Sequence, residues 1–586
     1  MQRPFVPVLF AAVVATACSR QTAPPASPAV PAAPPIAAEH APPPSPPSTT
    51  PETTVETVEE LEAKESAFDS NQWNSAIGLS GGAGGRYGGR AGGRQPRPRA
   101  ADDETYARIV EHGFLPAADD PLSTFAIDVD GASWSNVRRM LEDGKLPPAD
   151  AVRVEEFVNW FRYGDAAPAA DAEHPIAVHT ATGPCPWAPT HRLLRVVLRT
   201  RDVEVATLAP RNLVFLVDVS GSMADDDKLP LLRRGLRLLV RQMRPQDRIA
   251  IVTYAGEARV ALEPTSGLEA TRIEAAIESL QAGGSTNGGA GILTAYELAR
   301  RHASAESIDR VVLATDGDFN VGVADREQLI AMIESQRDDG VFLSVLGFGR
   351  GNLKDATLEA LGRHGNGHYA YVDSIAEARR VLVEQSGATL VTVAKDVKVQ
   401  IEFNPRFVQS YRQIGYENRA LAARDFNDDR KDAGEMGAGH VVTALYELVP
   451  VGVEPPTPAV DALRYQDSAA PAVAATDRGD GAAAQHELLT VKVRYKLPQA
   501  DSSRRFDTFV ARDAGGEPDA DFRFATAVAA FGMLLRDSDH AGDLTLDAVA
   551  TLAAGARGDD PAGERAEFAR LVGMAKDLRA TEPGTR

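Results

Sequence analysis

The stretch Asn212-Leu-Val-Phe-Leu-Val-Asp-Val-Ser-Gly-Ser-Met223, "NLVFLVDVSGSM", decides the fold. Its apolar run has no polar alternation, so it reads as a strand covered on both faces, and such strands belong to parallel sheets. The run stops at Asp218, passes through a short Gly/Ser loop and leads into "LPLLRRGLRLLVRQM" (229–243), an amphipathic helix. The same order recurs. The apolar runs "RIAIVTYAG" (248–256), "RVVLATDG" (310–317) and "VFLSVLGFG" (341–349) alternate with the helical stretches "TRIEAAIESLQ" (271–281), "GAGILTAYELARRHA" (289–303) and "REQLIAMIESQRDDG" (326–340). Strands alternating with helices predict a doubly wound α/β domain with a parallel sheet, residues 211–385.

Open α/β sheets bind ligands where loops leave the carboxyl ends of their strands. Asp218, Ser220 and Ser222 stand at alternate positions of one such loop. The Gly-rich turn "QAGGSTNGGAGI" (281–292) adds Thr286, and "RVVLATDGDFN" (310–320) adds Asp316 directly after a strand. Two carboxylates and three hydroxyls suit a hard divalent cation such as Mg²⁺, which takes oxygen ligands in near-octahedral array. The set neutralises the ion and leaves room for one external oxygen.

"DVSGSM", "GGSTN" and "ATDGD" together resemble the metal-ion-dependent adhesion site of von Willebrand factor type A domains, and all five ligand positions match: Asp218, Ser220, Ser222, Thr286 and Asp316. The resemblance implies Mg²⁺, or Mn²⁺ or Ca²⁺, whose sixth position is filled by a carboxylate of a partner protein. It extends to the flanks. "PLSTFAIDVDGASWSNVRRMLEDGKLPPADAVRVEEFVNWF" (121–161), "FVQSYRQIGYENRALAARDFNDDRKDAGEMGAGHVVTALYEL" (407–448) and the C-terminal helices look like the flanking regions of bacterial von Willebrand type A lipoproteins of the YfbK-like group.

At 586 residues the chain exceeds one core, and its 44% hydrophobic and 25% charged residues are ordinary for a soluble globular protein. A net charge of −20 argues against a nucleic-acid surface, which needs clustered Lys and Arg. "MQRPFVPVLFAAVVATACSRQ" has one arginine, Arg3, ahead of an apolar run too short to span a bilayer, then small residues ending at Cys18, which predicts an export signal over residues 1–18. Its "ATAC" resembles a lipobox, with Ala15 where leucine is usual, so the resemblance implies acylation of Cys18. Ser19 after that cysteine favours the outer membrane, facing either the periplasm or the exterior. Membrane contact is then expected through this lipid alone. Cys185 is the other of 2 cysteines and is expected to be a buried, inert thiol.

Residues 19–103 read as a Pro/Ala/Gly-rich tether too poor in large apolar groups to fold, with a short acidic stretch, "ETVEELEAKESAF" (56–68), of helical composition. Gly78, Ser80 and Gly82 match a nucleophile elbow only by coincidence, because glycine-rich chain lies on both sides. Order is expected from Glu104, with an α+β flank over 104–210 that starts in a helix, "ETYARIVEHGFLP" (104–116). Asp150 is expected to cap the helix of "DAVRVEEFVNWFRYG". A β-rich region over 386–500 and a helical region over 501–586 follow, and the β segments on either side of the α/β block predict that it is inserted into a β-rich domain. Ser222 is a possible cap for a helix near Lys228, and Asp225, Asp226 and Asp227 suit a solvated helix start. "DFNDDRKDAGE" (425–435) lacks the glycine and glutamate of an EF-hand; Asp128 and Asp130 are expected on a strand, and His364 and His368 in a turn after the strand ending near Gly349.

Three functions are compatible with these residues. The first is a non-enzymatic, lipid-anchored envelope protein that binds a protein partner through the cation. The second is a metal-assisted hydrolase, which needs a positioned base that the three loops do not supply as histidine. The third is an assembly factor whose cation only stabilises the fold.

Overall fold

A computed structural model describes residues 104–581 apart from 204–207, 285–288, 305–306, 318–325, 351–352, 386–390, 432, 457–484, 501 and 513–517. Cys18, the acidic stretch 56–68 and the Gly78–Gly82 motif lie outside the described residues. In chain order the first flank holds β1 (Leu115–Pro116), β2 (Leu122–Ala126), α1 (Ala132–Glu142), α2 (Val154–Trp160), β3 (Ile176–Pro184) and β4 (Arg192–Thr200). The central block follows with β5 (Arg211–Asp218), α3 (Leu229–Val240), β6 (Arg248–Tyr254), β7 (Ala258–Ser266), α4 (Ala270–Ser279), α5 (Gly289–His302) and β8 (Ile308–Thr315). It continues through α6 (Arg326–Asp338), β9 (Phe342–Phe348), α7 (Asp355–His364), β10 (Tyr369–Val372) and α8 (Ile375–Arg379), which runs into a π-helical turn at Arg380–Gln385. The second flank holds β11 (Thr392–Phe403), β12 (Val408–Ile414), β13 (Gly434–Gly437), β14 (Val441–Pro450), β15 (Glu487–Lys496) and β16 (Ser503–Ala511), then α9 (Ala520–Leu535), α10 (Leu546–Gly555) and α11 (Glu564–Thr581).

The central sheet has the order β10-β9-β8-β5-β6-β7 and is parallel except for β7, which pairs antiparallel with β6 at the edge. All of β5 is buried, as its unbroken apolar run requires. Val214, Leu216, Val311 and Leu313 face α5, α6 and α7, while Leu213, Phe215, Val217 and Val312 face α3, α4 and α8. Successive side chains of a strand thus feed two separate helix layers.

The flanks join across this block. On one sheet, ordered β1-β12-β14-β4-β3, Val197 of β4 pairs with Thr443 of β14. On the other, β11 pairs with β13, with β15 and, through Val399 opposite Phe125, with β2. Phe125, Leu194, Val196, Val399, Ile401 and Tyr446 share one core between the two sheets. The α/β block is therefore inserted in a β-sandwich, between β4 and β11. A fourth core, around Trp134, Phe157, Phe161, Phe524, Phe531 and Phe568, unites α1 and α2 with α9, α10 and α11. Cys185 belongs to it; burial pushes its thiol up to about 12. Among the described residues no helix is long and apolar enough to cross a membrane.

Several local expectations are corrected. Residues 104–114 form no helix; the segment lies against the fold, with the Thr105 amide donating to Leu353 O and the Ile109 amide to Asp150 Oδ1. Asp150 sits in a 3₁₀ turn and so does not cap α2, whose first turn follows Arg153 with no side-chain cap. Asp128 and Asp130 lie beyond the end of β2, buried against Arg419 at 2.9 and 3.2 Å. His364 ends α7 instead of following β9 directly. β16 falls within the region read as helical, because its Arg504, Arg505 and Asp507 mask the pattern of an edge strand.

Candidate metal centre

β5 and β8 lie side by side, with Val217 opposite Ala314, so the loops after Asp218 and Thr315 emerge next to each other. Asp218 and Asp316 are both fully buried there. Asp218 Oδ1 accepts from the Ser220 amide at 2.8 Å, which curls the loop back over the strand end. Ser220 Oγ and Ser222 Oγ then stand 2.9 Å apart, Ser220 buried and Ser222 exposed, so the hydroxyls run from the buried floor to the rim. The loop is sewn to its neighbours by backbone bonds: Val219 N to Tyr254 O, Gly283 N to Val219 O and Gly221 N to Gly284 O. Gly284 takes φ +90°, a conformation that suits glycine, and Thr286 follows two positions later, outside the described residues.

The electrostatics favour a cation. Burial, with the nearby charge of Asp316, pushes the Asp218 carboxyl above its usual range against the hydrogen bonds from Ser220. Thr315 Oγ1 lies 3.4 Å from Asp218 Oδ2, and Tyr254 also interacts with Asp218. One positive group answers the two acids: Lys228 Nζ donates to Asp316 Oδ2 and to Ser222 O, both at 3.0 Å. Asp316 Oδ1 is buried with no hydrogen-bond partner among the described residues. Two buried carboxylates against one ammonium leave an excess of negative charge and an unsatisfied oxygen, which fits a bound divalent ion.

Lys228 is a site residue that the sequence reading missed. It immediately precedes α3 with 5% exposure, and its stem lies on Gly349, where a Cβ would come 2.1 Å from Lys228 Cε. Ser222 caps no helix, since α3 starts at Leu229. Asp225, by contrast, is solvated as expected, its side chain 76% exposed and 3.8 Å from Lys228 Nζ. A lysine after three aspartates reads as surface charge; only the approach of the Gly349 turn shows that it points inward.

This fold and these loops define a von Willebrand factor type A domain, and comparison with known proteins agrees. The family model for that domain matches residues 212–385, one described as von Willebrand factor matches 100–195, and one described as the C-terminal part of the uncharacterized protein YfbK matches 388–578. The chain is 43% identical over 476 residues to the uncharacterized protein YfbK of Escherichia coli (strain K12), covering 80% of each chain, and it belongs to that family. It is also similar to human inter-alpha-trypsin inhibitor heavy chain H3, 28% identical over 262 residues and covering 41% of this chain and 29% of the relative. Among solved structures, a von Willebrand factor type A protein from Catenulispora acidiphila aligns at 15% identity with TM-score 0.37, over 70% of this chain and 98% of that one. Domains of this class commonly bind a divalent cation.

Proposed function

We propose that the chain is a lipid-anchored protein of the bacterial cell envelope that captures a protein partner through a divalent cation, without catalysis. Asp218, Ser220, Ser222, Thr286 and Asp316 hold Mg²⁺, with Mn²⁺ or Ca²⁺ as substitutes, and a carboxylate of the partner supplies the remaining oxygen. The observation that carries this reading is the buried Asp316 Oδ1 beside Asp218, which has no hydrogen-bond partner among the described residues, below hydroxyls that reach the surface at Ser222. A cation alone binds a carboxylate weakly in water, so the surface around Ser222 supplies specificity. Cys18 carries the lipid, which places the protein on the outer membrane, and the Pro-rich residues after it serve as a tether.

A hydrolytic reading requires a base placed at the cation. The described groups around the two carboxylates are Ser220, Ser222, Thr315, Tyr254 and Lys228, and Lys228 is spent on Asp316. That set suits ion holding better than proton transfer.

Calorimetric titration with Mg²⁺ separates the readings. The double variant Asp218→Ala, Ser220→Ala is expected to bind Mg²⁺ more than about 100-fold less tightly, since even outer-shell partners of metal ligands are worth about 10–100-fold. Unchanged affinity would remove the site. If wild type still folds cooperatively in EDTA and melts only a few degrees below its Mg²⁺-loaded form, the cation is not a structural staple. Pull-down from envelope extract should then yield a partner that EDTA and the double variant both release.

A further inference from the structure

The far end of the central sheet, at the amino ends of its strands, holds a buried arginine beside a cavity. There the sheet, the sandwich turn before β14 and the helix α2 enclose a cavity of about 90 Å³. Arg310, at the amino end of β8, lines it with 1% exposure. Among the described residues its guanidinium makes one hydrogen bond, Nη1 to Ser344 Oγ at 2.7 Å, and it lies 5.7 Å from the Phe342 ring centroid. Its Nε is buried without a partner.

Among the described residues Arg310 stands apart from the other deeply buried arginines of the fold. Arg153 pairs with Asp355 at 2.6 Å, Arg211 with Asp247 at 2.6 Å, Arg412 with Glu447 at 2.7 Å and Arg419 with Asp128 at 2.9 Å. No described carboxylate forms an ion pair with Arg310. The acid whose charge reaches it, Glu435, bonds instead to Asn366 Nδ2 at 2.7 Å and Thr392 Oγ1 at 3.1 Å. Glu377, on the cavity wall, is held by Arg138 at 2.9 Å.

A buried guanidinium with no counter-ion is strongly unfavourable, and its planar edge matches two oxygens of a carboxylate or phosphate. His440, also on the wall, supplies a neutral donor: its Nδ1 accepts from the Gly437 amide at 3.1 Å, which leaves the proton on Nε2. A single water needs about 10–15 Å³ of such space, so the cavity has room for an ion of a few heavy atoms. We infer that this cavity is a binding site for a small oxyanion, phosphate or a short carboxylate, held by Arg310 with His440 as a second donor.

The charge state of these groups agrees. Burial pulls the Arg310 guanidinium down to about 10, and burial together with the charges of Arg310 and Arg199 pulls His440 down to about 4. Both shifts mark a place where positive charge lacks an answer.

The test is calorimetry and thermal melting of the full chain in EDTA at pH 7, with inorganic phosphate in one arm, acetate in a second and NaCl of matched ionic strength as the control. Phosphate or acetate is expected to bind with one site and raise the melting temperature by a few degrees above the NaCl control. Arg310→Met is expected to lose the shift and to weaken binding by about tenfold or more; His440→Leu should weaken it less, and Asp218→Ala should leave it intact. The arm that responds identifies the planar or the tetrahedral anion. If wild type shows neither heat nor shift with either anion, the cavity holds water only and the inference is overturned. It is equally overturned if Arg310→Met, or His440→Leu should the first variant not fold, binds as wild type does.

Discussion

Lys228 sets the balance of the candidate metal centre. Its ammonium is the described positive charge bonded to Asp316, and its stem is held in place by the Gly349 turn. Lys228→Met keeps the length of the stem and removes the charge, leaving Asp316 buried and unanswered, for which the expected cost in EDTA is about 3 kcal/mol. Added Mg²⁺ supplies positive charge at the same carboxylates, so the deficit should shrink in urea unfolding with metal. Equal stability of variant and wild type in EDTA would show that Asp316 does not depend on this lysine. At this scale the sequence is an uneven guide. Asp218, Ser220, Ser222 and Asp316 are legible because each follows a strand whose apolar run fixes where it ends. Lys228 is not, because the acid it bonds, Asp316, comes from the loop after β8 and the turn that packs on its stem from the end of β9, both far along the chain.

Elements were legible where one face or both had to be apolar. The central parallel strands and their helices announce themselves by continuous runs and 3.6-residue spacing. The failures are edge and surface pieces: β16, whose charged outer residues hide its register, and 104–114, whose helical spacing is overridden by tertiary bonds to its backbone such as that from the Ile109 amide to Asp150 Oδ1. The turn after β9 is a place where one element constrains the site directly. Gly349 has φ +77°, and its carbonyl accepts from the Tyr371 hydroxyl at 2.6 Å. Gly349→Ala brings both a strained backbone and a methyl inside the Lys228 stem, and is expected to cost more than about 2 kcal/mol. Because it displaces Lys228 as well, it should alter Mg²⁺ affinity, whereas Gly340→Ala, also at positive φ but with open space for a Cβ, should lower stability alone. Parallel shifts in both variants, read by urea unfolding and Mg²⁺ calorimetry, would mean that strain and not the lysine is responsible.

Across the whole molecule the layers are joined by buried ion pairs. Arg138 of α1 reaches Asp373 and Glu377 of the α/β block and Glu567 of α11, and Arg153 reaches Asp355 of α7. The acids around this junction outnumber the arginines, and the excess is stored as protons. Burial, then the charges of Glu417, Asp128 and Glu156, pushes Glu155 up to about 8; burial, opposed by Arg153, pushes Glu156 up to about 7. A carboxyl whose folded value is raised stabilises the fold below its ordinary range, and that contribution is lost as pH rises through the folded value. Asp247 acts in the other direction: against burial, bonds from Arg244 and Arg211 hold it well below the usual carboxylate range, so its contribution is present above that range and is lost in acid. The melting temperature in EDTA should therefore peak near about pH 5 and decline toward about pH 8.5. Glu155→Gln, which fixes the neutral form, should flatten the alkaline decline and leave the acid limb in place. A wild-type melting temperature that holds level or rises between these pH values would mean that Glu155 and Glu156 are ionised in the folded chain, and that the arginines of the junction, not stored protons, balance its acids.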